Sequence, residues 1–229
     1  MLASLTAQER QRLEPFLEEV ELKTRLHICY TGQPITHVVF PHDAVASTLI
    51  ELPEGDSVEV GLVGRDGFVG LDLVFGSDIA VATVIIQVPG HGVHMTAEAF
   101  RREVVERGGP FSKLLLKYAR IFYGAVAQTG ACNASHAVEQ RLARWLLMVQ
   151  DRVQTNRFPL THEFIALMLG VRRASVTQAA NALRLAGAIG YDRGEITIVD
   201  RELLEQNACG CYHIVAGLSH DSVAEPGAA

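Results

Sequence analysis

The side chains best suited to recognition chemistry sit in one short stretch. Arg172 and Arg173 come two residues after Gly170 and open an alanine-rich run, "RRASVTQAANAL", that carries Ser175, Thr177 and Gln178. Two guanidiniums at the start of a helix oppose its macrodipole. They suit a ligand there instead, because a helix N-terminus attracts anions. A guanidinium fork also matches O6 and N7 of guanine. This is the chemistry of holding a partner, not of breaking bonds. No nucleophile stands with a base in the sequence, and "GLVGRDG" at 61–67 lies between strand-like runs rather than ahead of a helix, so it is no phosphate loop. We expect no enzyme.

The charge is unevenly spread. The chain has 229 residues and a net charge of −6, yet the stretch from Arg141 to Arg201 carries nine arginines against five acids, or +4, which leaves −10 elsewhere. An acidic body with one arginine-rich segment suggests a surface that meets a polyanion. No apolar run is long enough to span a membrane, and the first twenty residues hold charges but no signal-like apolar core, so the chain reads as cytoplasmic with no membrane partner.

The arginines need a scaffold. "THEFIALMLGVRRASVTQAANALRLAGAI" fits two helices joined by a tight turn, a frame from His162 to Asn181 with Gly170 in the left-handed position. Ala166 supplies the small residue at the crossing, and Ile165, Leu169, Val171, Val176 and Ala179 the buried positions. The second helix then presents Arg172 and Arg173 at its start, where recognition helices enter the major groove. Downstream, Asp192-Arg193-Gly194 reads as a hairpin turn, with Ile196 and Ile198 alternating inward and Arg193 at the tip of a wing, able to touch phosphate. Asp200 caps a closing helix, and residues 213–229 lack periodicity and read as a loose tail.

The region before this frame differs. Residues 4–19 have the pattern of an amphipathic helix, with Ser4 or Thr6 as its cap. From Val20 to Met95 short β-rich runs, including "GFVGLDLVF", alternate with turn residues and suggest an antiparallel sandwich or roll. "TAEAFRREVVER" returns to helical spacing behind Thr96, and Gly108-Gly109-Pro110 ends it. A long helix follows with two apolar stripes, one through Leu114, Tyr118, Ile121 and Ala125 and one through Leu115, Phe122 and Val126. Two stripes need two covers. Leu114, Tyr118, Ile121, Phe122 and Ala125 are the expected homodimer interface; burial within one subunit is the alternative. Asn133 and Ser135 should interrupt this helix, and a further one over 136–153 shows Leu142, Trp145, Leu146 and Val149 on one face.

Four cysteines are present. Cys132 and His136, four apart, have helical metal-ligand spacing, but an interrupted helix and only two close ligands leave them weak candidates, and no metal or other cofactor is predicted. Cys209-Gly210-Cys211 is too tight for an ordinary zinc knuckle, and a redox pair there is the other reading.

A β-roll, a long helix and a winged helix-turn-helix in this order resemble the catabolite-activator and fumarate-nitrate-regulator superfamily, Crp/Fnr, over nearly the whole chain. The likeness is strongest in "CNASHAVEQRLARWLLMVQDRV" and in the helix-turn-helix stretch. It implies an α+β protein with a cyclic-nucleotide-binding-like antiparallel β-roll over 1–109, a dimerisation helix over 110–133, a winged helix-turn-helix over 134–212 and the tail beyond. It further implies a homodimer that binds partly palindromic double-stranded DNA, contacts RNA polymerase and senses an effector through its roll. The alternative is a small-molecule or redox sensor whose winged domain binds protein.

Residue by residue, the family's recognition helix begins R-E-T-V-x-R, and here the stretch reads Arg173-Ala174-Ser175-Val176-Thr177-Gln178. The resemblance makes Arg173, Ala174 and Gln178 the base readers. Thr161, His162, Arg172 and Ser175 match phosphate-holding positions, and Arg193 joins them from the wing. The family's phosphate cassette has a Gly-Glu pair and an Arg-Ser or Arg-Thr. Here Leu71 follows Gly70 and no arginine lies between Arg65 and Arg101, so cyclic AMP is not expected in the usual mode. Cys29 is the only cysteine before residue 132, which argues against the family's iron-sulfur sensor.

Overall fold

The structure, a computed structural model, describes residues 1–153 and 155–220. The chain divides into two compact units, one built on Met1–Ala119 with Arg152 and Val153, and the other on Arg120–Asp151 with the residues from Thr155 onward. The first unit holds α1 (Ala7–Leu13), strands β1 (Glu18–Leu22), β2 (His27–Cys29), β3 (His37–Pro41), β4 (Val45–Glu51) and β5 (Ser57–Val63), the one-turn helix α2 (Leu71–Val74), strands β6 (Thr83–Val88) and β7 (Gly90–Thr96), and α3 (Ala97–Phe100). The strands form two antiparallel sheets, in the orders β1-β7-β3 and β2-β6-β4-β5. Every residue of β6, which lies inside its sheet, is buried, whereas the edge strand β1 buries only Leu22. Aromatic rings fill the space beside the sheets: Phe68 stacks on Phe40 at 5.7 Å and meets Phe100 at 6.0 Å and Tyr118 at 5.3 Å. Gly67 is required here, because a Cβ would fall 2.1 Å from the Tyr118 hydroxyl oxygen.

Three expectations for this unit change. The N-terminal helix is short: Thr6 and Glu9 close a capping box, Ser4 lies in a separate turn, and the helix tightens into a 3-10 turn at Glu14–Phe16, where Pro15 cannot donate a backbone bond. The chain then enters β1 at once. The "GFVGLDLVF" run is not a strand. Gly70 takes φ 112°, which redirects the chain into α2. Beyond α3 the backbone widens into a π-helical stretch over Arg101–Glu106 before Gly108 and Gly109, both at positive φ, end it.

Helix α4 (Pro110–Ser135) runs 26 residues without a break. Asn133 and Ser135 do not interrupt it, and the His136 amide still donates to the Cys132 carbonyl at 3.0 Å. The second unit continues with α5 (Val138–Val153), β8 (Arg157–Pro159), α6 (His162–Leu169), α7 (Arg173–Leu185), β9 (Ile189–Asp192), β10 (Glu195–Ile198), α8 (Arg201–Asn207) and α9 (Cys211–His220). Its three strands pair antiparallel in the order β8-β10-β9. The core takes Leu142, Trp145, Leu146 and Val149 from α5, as the periodicity indicates, with Ile165, Leu169, Val176, Leu183, Ile196 and Leu204.

The expected loose tail is corrected over 213–220, which belong to α9; residues 221–229 lie outside the described residues. Cys211 and Val215 are buried one helical turn apart, and Leu218 packs over Gly124, where a Cβ would meet it at 2.9 Å. The apolar face was present in the sequence, but Gly217 and the polar residues around it hid its period. Among the described residues no helix is long and apolar enough to cross a membrane.

Candidate nucleic-acid interface

Gly170 ends α6 at φ 61° and ψ 42°, the left-handed conformation the turn requires. Helix α7 begins three residues later. Arg172 occupies its N-cap position with no side-chain cap, and its carbonyl accepts from the Ser175 amide at 2.9 Å. Val176, Ala179, Ala180 and Leu183 turn inward and fix the rotation of α7 about its axis. That rotation leaves Arg172, Arg173, Ala174, Gln178 and Asn181 exposed, with Ser175 half-buried at the first turn. Ala174, Gln178 and Asn181 are four and three apart and so share one face. Asn181 was not singled out from the sequence; its spacing from Gln178 was the available signal.

The wing stands beside the start of α6. Arg193 and Gly194 are the two central residues of the β9–β10 hairpin, at φ 47° and 83°. Both dihedrals belong to a tight primed turn, where asparagine or glycine would be easier than arginine. The Gly194 carbonyl accepts from the Leu160 amide at 2.8 Å, and a Cβ on Gly194 would lie 3.6 Å from the Thr161 methyl group. Thr161 is exposed, but its hydroxyl accepts from the Phe164 amide at 3.2 Å as the α6 cap. Thr161 and the wing tip Arg193-Gly194 are therefore neighbours.

His162 departs from its expected role as an outward phosphate ligand. Its ring stacks on Tyr191 of the wing at 4.2 Å. Nδ1 pairs with the Thr177 hydroxyl at 3.1 Å, and that hydroxyl donates to the Arg173 carbonyl at 3.1 Å. The hydroxyl proton is thus committed, so the imidazole donates from Nδ1 and keeps a bare Nε2. Nε2 is buried without a partner. Burial first, and then the nearby Arg173 guanidinium, hold the His162 pKa below the ordinary histidine value. The ring braces the wing against both helices, with Nδ1 paired and Nε2 enclosed.

The arginines of the basic segment fall into two groups. Arg157 pairs with Glu195, and Arg201 with Asp151 at 2.8 Å. Arg141 and Arg144 are buried in α5, where Arg141 donates to the Leu169 carbonyl at the end of α6. Arg172, Arg173, Arg184 and Arg193 remain exposed.

The expected dimer residues also separate. Tyr118, expected at the dimer interface, is buried against Phe68 in the core of the first unit. Leu114, Ile121, Phe122 and Ala125 are half-buried. The apolar side chains of α4 most open to solvent are Leu116 and Tyr123, seven residues apart. Cys132 and His136, weak metal candidates in the sequence, meet Cys209 and Cys211: the four ligand atoms lie within 4.8 Å of one another. The unbroken end of α4 brings the first two together, and the α8–α9 joint delivers the others.

Residues 140–207 match the family of Crp-like helix-turn-helix domains. No curated protein matches the chain. Solved structures share its fold at low identity. A putative transcriptional regulator of the Crp/Fnr family from Eubacterium rectale aligns with a TM-score of 0.67 at 20% identity, covering 90% of this chain and 95% of that one. FixK2 from Bradyrhizobium japonicum aligns with a TM-score of 0.70 at 12% identity, covering 85% and 98%. The c-di-GMP responsive global regulator CLP of Xanthomonas campestris aligns with a TM-score of 0.66 at 14% identity, covering 85% and 100%. The chain has the Crp/Fnr fold: an antiparallel roll of the cyclic-nucleotide-binding kind, a long helix and a winged helix-turn-helix.

Proposed function

We propose that this chain, a Crp/Fnr-type transcription regulator by its fold and its Crp-like helix-turn-helix domain, is a homodimer that binds a partly palindromic operator in double-stranded DNA. The observation that carries this reading is α7: an uncapped N-terminus flanked by Arg172 and Arg173, an outward face of recognition side chains, and a wing with an exposed arginine beside it. Arg173 reads guanine through O6 and N7, Gln178 reads adenine, and the Ala174 methyl group touches a thymine methyl. Asn181, on the same face, is a second adenine reader. Arg172, Ser175, Arg193 and the positive N-terminal end of α7 hold phosphates, and Thr161 lies at the edge of that set. His162 supports the surface from behind.

The homodimer uses α4, whose outward apolar residues Leu116 and Tyr123 continue through exposed Ala127 and Gly130 at a heptad-like spacing. The roll takes an effector other than cyclic AMP or none, since the α2 region supplies no arginine for a buried phosphate. Contact with RNA polymerase completes the reading. Selection of binding sites from random duplexes tests it. The expected half-site keeps one guanine and differs from TGTGA at the positions facing Ala174 and Gln178. Recovery of TGTGA sinks the base assignments, and the absence of any enriched sequence sinks the DNA reading.

A further inference from the structure

Three thiols and one imidazole converge inside the second unit. Cys132 lies on the last turn of α4, His136 follows one turn later, and Cys209 and Cys211 flank Gly210 between α8 and α9. Cys132 Sγ stands 3.4 Å from Cys209 Sγ, and Cys211 Sγ stands 3.6 Å from Nδ1 of His136. Bonds of about 2.3 Å to sulfur and about 2.0 Å to nitrogen in a tetrahedron set S–S edges near ~3.8 Å and S–N edges near ~3.5 Å. The observed contacts lie close to both. All four cysteines are free, and disulfide sulfurs would stand about 2.05 Å apart.

The charges around the cluster give a second, independent indication. Arg141 and Arg144 of α5 are 7% and 2% exposed. Arg141 donates to the Leu169 carbonyl, and Arg144 donates to the Thr129 hydroxyl at 3.3 Å, but the Nε of each is buried without a partner. Among the described residues neither pairs with a carboxylate. Buried cations with no counter-charge are costly. Neutral thiols supply none. Three thiolates around a divalent ion carry one net negative charge and offset part of that positive charge from within the same core. Gln128, one turn before Cys132, already donates its amide to Cys211 Sγ at 3.0 Å, the kind of bond that orients a thiolate ligand.

We propose that Cys132, His136, Cys209 and Cys211 bind a single zinc ion. Three soft thiolates with one imidazole in a tetrahedral set select zinc over harder divalent ions. The ligand atoms are too close together for a cluster of several irons. All four positions come from the protein and the three cysteines are buried, so the site is closed and structural rather than catalytic. The ion ties the end of α4 to the α8–α9 joint, and Arg141 extends that tie to the end of α6. The C-x-C spacing, too tight for a zinc knuckle alone, works because α4 supplies the other half of the site.

Cobalt(II) titration of the full chain, reduced and freed of metal with a chelator, tests the site. The expected result is saturation at one equivalent, the intense visible absorption of tetrahedral cobalt, sulfur-to-cobalt charge transfer, and displacement of both by zinc. The Cys209→Ser, Cys211→Ser double variant should bind at least tenfold more weakly. His136→Cys should keep the ion and raise the charge-transfer band by about a third, as four thiolates replace three. A weak octahedral spectrum from folded wild-type protein overturns the proposal. So does a tetrahedral spectrum unchanged in the double variant. If that variant does not fold, a His136→Cys band no stronger than wild type overturns it alone.

Discussion

Two pairs of arginines in the same unit meet opposite fates. Arg172 and Arg173 stand exposed at the start of α7, and Arg141 and Arg144 are enclosed in α5. The outer pair has no carboxylate among the described residues and opposes the helix dipole, an arrangement explained by an external anion. The inner pair also lacks carboxylates, but it holds a helix-end carbonyl and a hydroxyl and borders a nest of thiols. On the proposed reading one pair binds DNA, and the other holds the end of α6 and α4 in place. Arginine count alone does not distinguish these roles; burial and the identity of the acceptor do.

The largest effect should come from the inner pair. Arg141→Leu removes a charge-assisted bond to the Leu169 carbonyl, which costs about 1.5–3 kcal/mol. Urea denaturation should register that loss, and DNA affinity should fall only as far as the folded fraction falls. An Arg141→Leu protein with wild-type stability and weakened DNA binding would erase the distinction between the pairs.

Next comes the outer pair, whose members should differ from each other. Arg173→Ala should cost about 1–3 kcal/mol against the cognate guanine and little against a site already altered there. Arg172→Ala should weaken binding to all sequences and lower the salt slope by about 1. Both should leave unfolding within about 0.5 kcal/mol of wild type. Affinities measured over a salt series on cognate and altered duplexes separate the two; identical profiles would mean that neither reads a base.

The same contrast explains what the sequence disclosed. Gly170, the inward Val176 and Ala179 and the hairpin Arg193-Gly194 were legible because local rules govern them: a positive φ, a 3.6-residue period and a two-residue turn. The roll was legible from its alternating runs, although α2 was not, because a single left-handed glycine redirected the chain. The regional charge of +4 suggested a broad basic surface, but burial of Arg141 and Arg144 and the pairing of Arg157 and Arg201 depend on contacts remote in sequence. Of the thiol and imidazole cluster the sequence offered only the pair Cys132 and His136, for the same reason. Cys132 and Cys209 are 77 residues apart, and only the packed unit brings their sulfurs to 3.4 Å. Tyr118 fitted a dimer stripe by spacing, yet Gly67 leaves room for its hydroxyl within the first unit.

His162 offers the smallest test, since it lies between the two classes: a polar residue at the recognition surface whose ring faces inward. Its folded pKa is held below the ordinary histidine value by burial and then by Arg173. Protonation places a hydrogen on Nε2, which is enclosed without an acceptor. The unfolded chain therefore takes up this proton more readily than the folded one as pH falls through about 6.5. The folded state loses stability across that interval and on down toward the lowered folded pKa, and it carries no such penalty above about pH 7.5. His162→Phe keeps the stack on Tyr191 and removes the titration. Urea midpoints measured from pH 7.5 to 5.5 should fall more steeply for wild type than for His162→Phe, a difference that isolates this ring from the other eight histidines. Parallel pH profiles would mean that the ring opens to solvent easily enough to accept a proton, and an outward, phosphate-facing His162 would again be tenable.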